Sequence, residues 1–248
     1  MQSNIIEVNN LSKAFNDHLL LKDITFSIKR GEIFSLLGSN GSGKSTTIKI
    51  LTTLIRKYDG NIKIDGLPLK TNGERVRHII SLTGQFVALD LSLTAYQNMK
   101  MIAQLRRLKN VNQRITQLLT QFSLLDVKDK QVNNFSGGMK RRLDIAMGLL
   151  GDPKIIFLDE PTTGIDPQNR IAMWDIIKEL SAQGVTIFLT TQYLEEAEAL
   201  ADTVAILDKG VISDIGSVSE LKNKYGAGTL EQIFLSIVKN NQGGQLNA

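Results

Sequence analysis

Eight consecutive residues, Gly38-Ser39-Asn40-Gly41-Ser42-Gly43-Lys44-Ser45, fit the pattern G-x-x-x-x-G-K-[ST]. Each residue type has a chemical reason to stand there. The glycines let successive backbone N–H groups turn toward one anion, and a helix that follows adds the positive end of its dipole. Lys44 is placed to reach the β- and γ-phosphates of a nucleoside triphosphate, the Ser45 hydroxyl to hold Mg²⁺, and Thr46 joins the same phosphate-binding set. By average residue frequencies the four fixed positions arise by chance in on the order of one such chain in a hundred. The alternative is a flexible glycine turn. The strand-like run Ile33-Phe34-Ser35-Leu36-Leu37 before the loop, and Ile48, Leu51, Leu54 and Ile55 at helical spacing after it, favour the strand–loop–helix context that phosphate binding needs.

A second constellation is Ile155-Ile156-Phe157-Leu158-Asp159-Glu160, four apolar residues and then two acids. It reads as a buried strand that delivers carboxylates to a sheet edge, Asp159 for Mg²⁺ and Glu160 to orient and polarise an attacking water. Alone it could be a strand ending in solvated acids. Joined to the phosphate loop it gains weight, because α/β sheets of this kind bring strand ends to one edge. A third is Ser136-Gly137-Gly138, ahead of Leu143, Ala146, Met147 and Leu150. Serine and glycines at a helix start can cradle an anion, although an ordinary helix cap has the same composition.

The elements that must position these groups follow from apolar spacing. Residues 5–8 and 24–28 alternate as antiparallel strands, and residues 62–64 add a third. Residues 93–150 read as helical, with Ile115, Leu118, Leu119, Phe122 and Leu125 on one face behind an Asn112 cap. Strands return at 155–158, 185–189 and 204–207 and alternate with a helix that Asp166 caps and Pro167 opens, which implies a mostly parallel sheet. The turn Asp208-Lys209-Gly210 makes a hairpin with residues 211–215. Leu230, Ile233, Phe234, Ile237 and Val238 form a last amphipathic helix, and residues 239–248 read as a disordered tail.

Composition narrows the class. The 248 residues, 42% hydrophobic, suit one large α/β domain with a subdomain. No run nears the roughly 18 apolar residues of a membrane span, so a soluble protein is expected, and any membrane role must come through a partner. The absence of cysteine excludes disulfides and thiolate metal sites. A net charge of +4 is mild. The clusters Lys140-Arg141-Arg142 and Arg106-Arg107 with Lys109 are expected to be solvated helix faces, so no direct nucleic-acid partner is expected.

The ordered set of residues 38–45, Gly84-Gln85, Phe135-Ser136-Gly137-Gly138, Leu158-Asp159-Glu160-Pro161, Gly164-Ile165-Asp166-Pro167 and Thr190-Thr191 resembles the ATPase subunits of ABC transporters. The resemblance spans about residues 4–238. More narrowly, residues 136–144, Thr190-Thr191-Gln192-Tyr193-Leu194-Glu195-Glu196-Ala197 and residues 229–234 look like the daunorubicin-resistance type of exporter ATPase. What this implies is an α/β P-loop NTPase fold with a RecA-like core, an N-terminal antiparallel β subdomain and an α-helical subdomain over about residues 86–150. ATP and Mg²⁺ are the implied cofactors. Phe15 would stack on adenine, unless it is a core or turn aromatic. Gln85 would meet the Mg²⁺ and water side of the site and link nucleotide state to the helical subdomain, unless it is a plain surface glutamine. Ser136, Gly137 and Gly138 would close over the γ-phosphate held by Lys44 of a second subunit. Two ATPs would then lie between head-to-tail ATPases, a homodimer or a pair of similar subunits, with Asp166 packed across the interface. A separate transmembrane permease would dock beside Phe86, Val87, Leu89, Leu91 and Leu93, and the chain would sit on the cytoplasmic face of the membrane.

The chain departs from the superfamily at two positions. Met139 follows Ser-Gly-Gly where glutamine is usual, and Gln192 stands where a switch histidine is usual. An amide donates and accepts hydrogen bonds but takes no proton at neutral pH. Gln192 is therefore expected to hold γ-phosphate and water by hydrogen bonding alone, with Glu160 as principal base. Neither His18 nor His78 lies at a position that matches the switch histidine, and both are expected to be surface or satisfied residues. The leading expectation is ATP hydrolysis that powers export of a hydrophobic or amphipathic compound. A soluble ABC ATPase of cofactor assembly is the alternative.

Overall fold

The computed structural model describes residues 3–16, 18–226 and 228–243. Strands β1 (Asn4–Phe15) and β2 (His18–Lys29) pair antiparallel, as their alternating apolar residues require. Strand β3 (Ile33–Leu37) is buried along its whole length and feeds the glycine loop. Helix α1 (Lys44–Leu51) leaves that loop, and β4 (Asp59–Ile64) and β5 (Leu67–Pro68) complete a four-stranded sheet in the order β2-β1-β4-β5.

Next come α2 (Leu69–Ile79) and β6 (Ile80–Thr83). Three helices follow, as the apolar spacing predicts: α3 (Ala95–Leu105), α4 (Val111–Gln121) and α5 (Gly137–Gly148). A capping box starts α3, with Thr94 accepting from the Gln97 amide and the Gln97 side chain accepting from the Thr94 amide. The cap expected of Asn112 is not formed. Asn110 is the N-cap residue of α4, and Asn112 Oδ1 instead accepts from the Tyr96 hydroxyl at 3.0 Å, joining α3 to α4.

The rest of the chain alternates: β7 (Ile155–Asp159), α6 (Pro167–Ala182), β8 (Thr186–Thr191), α7 (Leu194–Leu200), β9 (Thr203–Asp208), β10 (Val211–Gly216), α8 (Val218–Tyr225) and α9 (Leu230–Gly243). Asp166 caps α6 through the Asn169 amide, and Pro167 opens it, as expected. Helix α9 runs on through residues 239–243, where a tail was expected to begin. The remainder of that expected tail, residues 244–248, lies outside the described residues.

The second sheet has six strands in the order β10-β9-β3-β8-β7-β6. Strands β9, β3, β8, β7 and β6 run parallel, and β10 folds back antiparallel on β9. One face of this sheet packs toward β1, β2 and β4. There Phe26, Phe34, Phe188 and Phe157 form an aromatic ladder with ring centroids 5.0, 5.4 and 5.4 Å apart. Each buried phenyl contributes about 1.5–3 kcal/mol. The other face carries residues of α3, α4, α5 and α6 in one continuous core. A smaller cluster seats α7 and α9 against Leu37, Val204 and Ile206.

This strand order places the chemistry. In a parallel sheet every strand ends at the same edge, and ligands bind beyond the carboxyl ends. The glycine loop follows β3, Gln192 follows β8, Glu160 follows β7, and Gln85 lies just past β6. As β3, β8, β7 and β6 are consecutive neighbours, these four groups are set side by side.

Candidate active site

Residues Asn40, Gly41, Gly43, Lys44, Ser45, Thr46, Gln85, Glu160 and Gln192 line one cavity of about 570 Å³, joined by Leu20 and Thr163. Residues far apart in the chain thus converge at the sheet edge. Gly43 has φ +113°, and a Cβ there would lie 2.4 Å from Leu21 Cδ2. The conformation calls for glycine, and a side chain there would also have to displace the end of Leu21.

Lys44 is nearly fully buried. Its ammonium donates to the carbonyls of Gly38 at 2.8 Å and Ser39 at 3.1 Å, and lies 3.4 Å from Glu160 Oε1. Ser45 Oγ donates to Asp159 Oδ1 at 3.1 Å. Thr190 Oγ1 donates to the same carboxylate oxygen at 2.6 Å. A hydroxyl and a single carboxylate, with the Gln85 amide across the same cavity, are hard oxygen donors of the kind that Mg²⁺ accepts when phosphates and water complete its octahedron.

Glu160 adopts φ 49°, in the left-handed region, which is costly for a residue with a side chain. Its surroundings hold it there. Its amide donates to the Thr190 carbonyl at 3.1 Å and to Thr190 Oγ1 at 3.2 Å, while Thr163 Oγ1 donates to Glu160 Oε2 at 3.2 Å. Thr190 therefore steadies both acids through one hydroxyl. Thr163 carries no distinct signal in the sequence, being an ordinary threonine three residues past an acid.

Other expected site residues lie outside the cavity lining. Phe15 is 47% exposed at the end of β1, with Lys13 Nζ 4.5 Å from its ring centroid. Ser136 caps α5 by accepting from the Met139 amide at 3.2 Å. A Cβ on Gly137 would meet nothing within 4 Å, whereas one on Gly138 would lie 2.6 Å from the Asn169 side chain. Gly137 thus presents an open backbone, and Gly138 lets α5 approach α6. Ser39 and Ser42 sit within the loop, the Ser42 amide donating to the Ser39 carbonyl at 3.2 Å.

The basic run at 140–142 is not the solvated face that its composition suggested. Arg141 is only 4% exposed. It donates from Nε to Pro161 O at 2.9 Å, from Nη1 to Gly84 O at 2.5 Å and from Nη2 to Asp159 O at 3.1 Å. Arg142 Nη1 donates to Phe122 O at 3.2 Å. A guanidinium has five donors in a planar fork and can satisfy several carbonyls at once, so burial is tolerated where a lysine would fail. Burial lowers the pKa of Arg141, and the carboxylates of Asp144, Asp159 and Glu196 work against that shift.

A further buried acid, Glu196, was not singled out as a site residue. Its Oε1 accepts from Thr162 Oγ1 at 2.7 Å and from Trp174 Nε1 at 3.2 Å. Burial raises its pKa against the lowering effect of these bonds.

Residues 21–163 match the family model described as ABC transporter. The chain is 42% identical over 225 residues to the doxorubicin resistance ATP-binding protein DrrA of Mycobacterium tuberculosis, covering 89% of this chain and 68% of that one. It is 39% identical over 227 residues to the daunorubicin/doxorubicin resistance ATP-binding protein DrrA of Streptomyces peucetius, covering 91% and 69%. Among solved structures, an ATP-binding subunit of an ABC transporter superposes with a TM-score of 0.84 at 30% identity, covering 94% of this chain and 99% of that one. The chain therefore belongs to the ABC transporter family as an ATP-binding, ATP-hydrolysing subunit.

Proposed function

We propose that the cavity at Lys44 is half of a composite ATP site, and that its turnover drives export of a hydrophobic or amphipathic compound through a separate membrane permease. The observation that carries this reading is the strand order β3-β8-β7-β6, which sets Lys44, Gln192, Glu160 and Gln85 along one edge. The drug-resistance names of the relatives supply the class of compound.

The residues have distinct roles in this reading. Backbone N–H groups of residues 39–46 cradle the phosphates, and Lys44 exchanges the Gly38 and Ser39 carbonyls for β- and γ-phosphate oxygens. When bound, Mg²⁺ neutralises charge on the β- and γ-phosphates; Ser45, Asp159 and Gln85 are the residues that would hold it. Glu160 sits beside the lysine that marks the γ-phosphate, so it is placed to orient water and accept its proton. Thr190 and Thr163 keep that carboxylate aimed. Gln192 donates to the γ-phosphate or accepts from the water. Phe15 stacks on adenine.

Ser136, Gly137 and Gly138 act in trans. Ser136 and Gly137 are exposed at the start of α5, outside their own subunit's cavity, which suits a head-to-tail dimer in which each subunit completes its partner's site. Asp166 then packs at the dimer seam while capping α6. The ATPase domain spans residues 1–238, and residues 86–150 form the subdomain that relays motion. Phe86 and Val87 follow Gln85 on an exposed segment, Phe86 being 86% exposed, and Leu91 and Leu105 are exposed as well. This apolar surface suits a permease. No helix among the described residues is long and apolar enough to cross a membrane, so the membrane location comes from that partner.

The test is co-purification from detergent-solubilised membranes. A polytopic membrane protein retained by the wild-type chain and lost on Phe86→Asp supports the reading. Recovery only with soluble partners would overturn export in favour of a role such as cofactor assembly.

A further inference from the structure

We propose that Arg141 is a positioning residue for ATP hydrolysis, holding the backbone on both sides of Glu160 and the start of the Gln85 segment from one guanidinium on α5. The inference rests on Glu160 acting as the base.

Glu160 lies between the two carbonyls that Arg141 grips on that side, Asp159 O and Pro161 O. The residue between them is the one with φ 49°, so these bonds help to hold a backbone turn that is intrinsically unfavourable. The third carbonyl, Gly84 O, immediately precedes Gln85. Asp144 stands one turn further along α5 and 3.7 Å from Arg141 Nη1. Its Oδ1 accepts from the Ala88 amide at 3.3 Å. The segment 84–88 is thus fastened to α5 at both ends, by a donor and an acceptor that pair with each other, while Gln85, Phe86 and Val87 between them stay exposed.

The same helix begins at Ser136-Gly137-Gly138. A shift of α5 must therefore be felt at Glu160 and at Gln85 together. A buried charge is expensive, and a well-packed apolar residue would often stabilise the fold as well or better. Three separate backbone acceptors, all flanking groups of the reaction, account for a guanidinium at this place. A solvated helix face does not.

The experiment is steady-state ATP turnover by the full chain, with nucleotide binding followed by a fluorescent ATP analogue and folding by thermal melting. The variants are Arg141→Lys, Arg141→Met, Gln85→Ala and the double Arg141→Met/Gln85→Ala. Positioning by Arg141 predicts that kcat falls roughly 10- to 100-fold in Arg141→Met while KM and analogue affinity stay within about threefold, because a small misplacement of a reacting group is enough to cost that much. Arg141→Lys, which keeps charge but cannot span three carbonyls, should fall between. The double variant should lose less than the product of the two single losses, since only the part of the Arg141 effect that runs through the Gln85 segment is already gone in Gln85→Ala. Wild-type kcat in Arg141→Lys and Arg141→Met would overturn the proposal, as would losses that multiply in the double. If Arg141→Met does not fold, Arg141→Lys decides alone, by reduced kcat at unchanged KM or by wild-type values of both. Turnover retained in Glu160→Gln would instead overturn the assignment of the base; loss in Glu160→Gln beside normal Arg141 variants would overturn this proposal only.

Discussion

The Lys44 ammonium lies 3.4 Å from Glu160 Oε1, and both side chains are more than nine-tenths buried. The lysine that follows β3 and the carboxylate that follows β7 are thus electrostatic partners across the end of β8, which lies between those strands. Removing one member of such a pair leaves the other as an uncompensated buried charge. Lys44→Met should therefore lower stability, by about 3 kcal/mol, and Glu160→Gln should restore part of that loss in the double variant. Denaturant unfolding of the four proteins checks it. Additive effects would mean that the two groups do not interact.

Gln192 shares the cavity with Glu160 and Lys44 but has no proton to exchange at neutral pH. Loss of one hydrogen bond near the γ-phosphate, worth about 1–1.5 kcal/mol, predicts roughly a tenfold lower kcat in Gln192→Ala. Gln192→His should regain rate and acquire a dependence on pH in the range where imidazole titrates. Unchanged kinetics in Gln192→Ala would remove the residue from the reaction.

If Ser136 completes a partner's site, two dead chains should rescue one another. Lys44→Ala and Ser136→Arg are each expected to be inactive. Mixed and allowed to exchange subunits, they form dimers with one intact Lys44 facing one intact Ser136, and turnover should appear. Turnover absent from the mixture, with exchange verified, would argue against action in trans.

Glu196 provides a test by pH. Burial raises its pKa in the fold, so the stability linked to its protonation is full below the ordinary carboxylate value of about 4.3 and is lost as pH rises through the higher folded value. Glu196→Gln removes that titration. The melting temperature of wild type minus that of Glu196→Gln should fall as pH rises from 4 toward 8, and a difference that is flat or rises with pH would contradict the burial account.

The legible parts of the molecule were those in which local order and chemistry coincide. Residues 38–45 and 155–160 announce themselves because a phosphate cradle and a buried strand ending in acids each need consecutive residues of fixed type. The resemblance rests on those segments together with Gly84-Gln85, residues 135–138, residues 164–167 and Thr190-Thr191. Strand β6, four residues long, was missed, since Ile80 and Leu82 follow directly on α2 and offer too little alternation to stand apart from it. Arg141 was misread for a different reason. Its neighbours are basic and a run of cations is usually solvated, but its burial is set by three carbonyls from two distant segments, and nothing local encodes them. Asn112 likewise looked like a cap until the Tyr96 hydroxyl claimed its oxygen. Tertiary partners decided these cases.

The central claim is that Glu160 is the group that activates water at the Lys44 cavity. Glu160→Gln keeps the shape of the side chain and removes its basicity. Measured together on the purified chain, ATP-analogue binding should persist while steady-state hydrolysis falls at least about 100-fold, within the range that a positioned base contributes. Hydrolysis near the wild-type rate with binding intact would contradict the account.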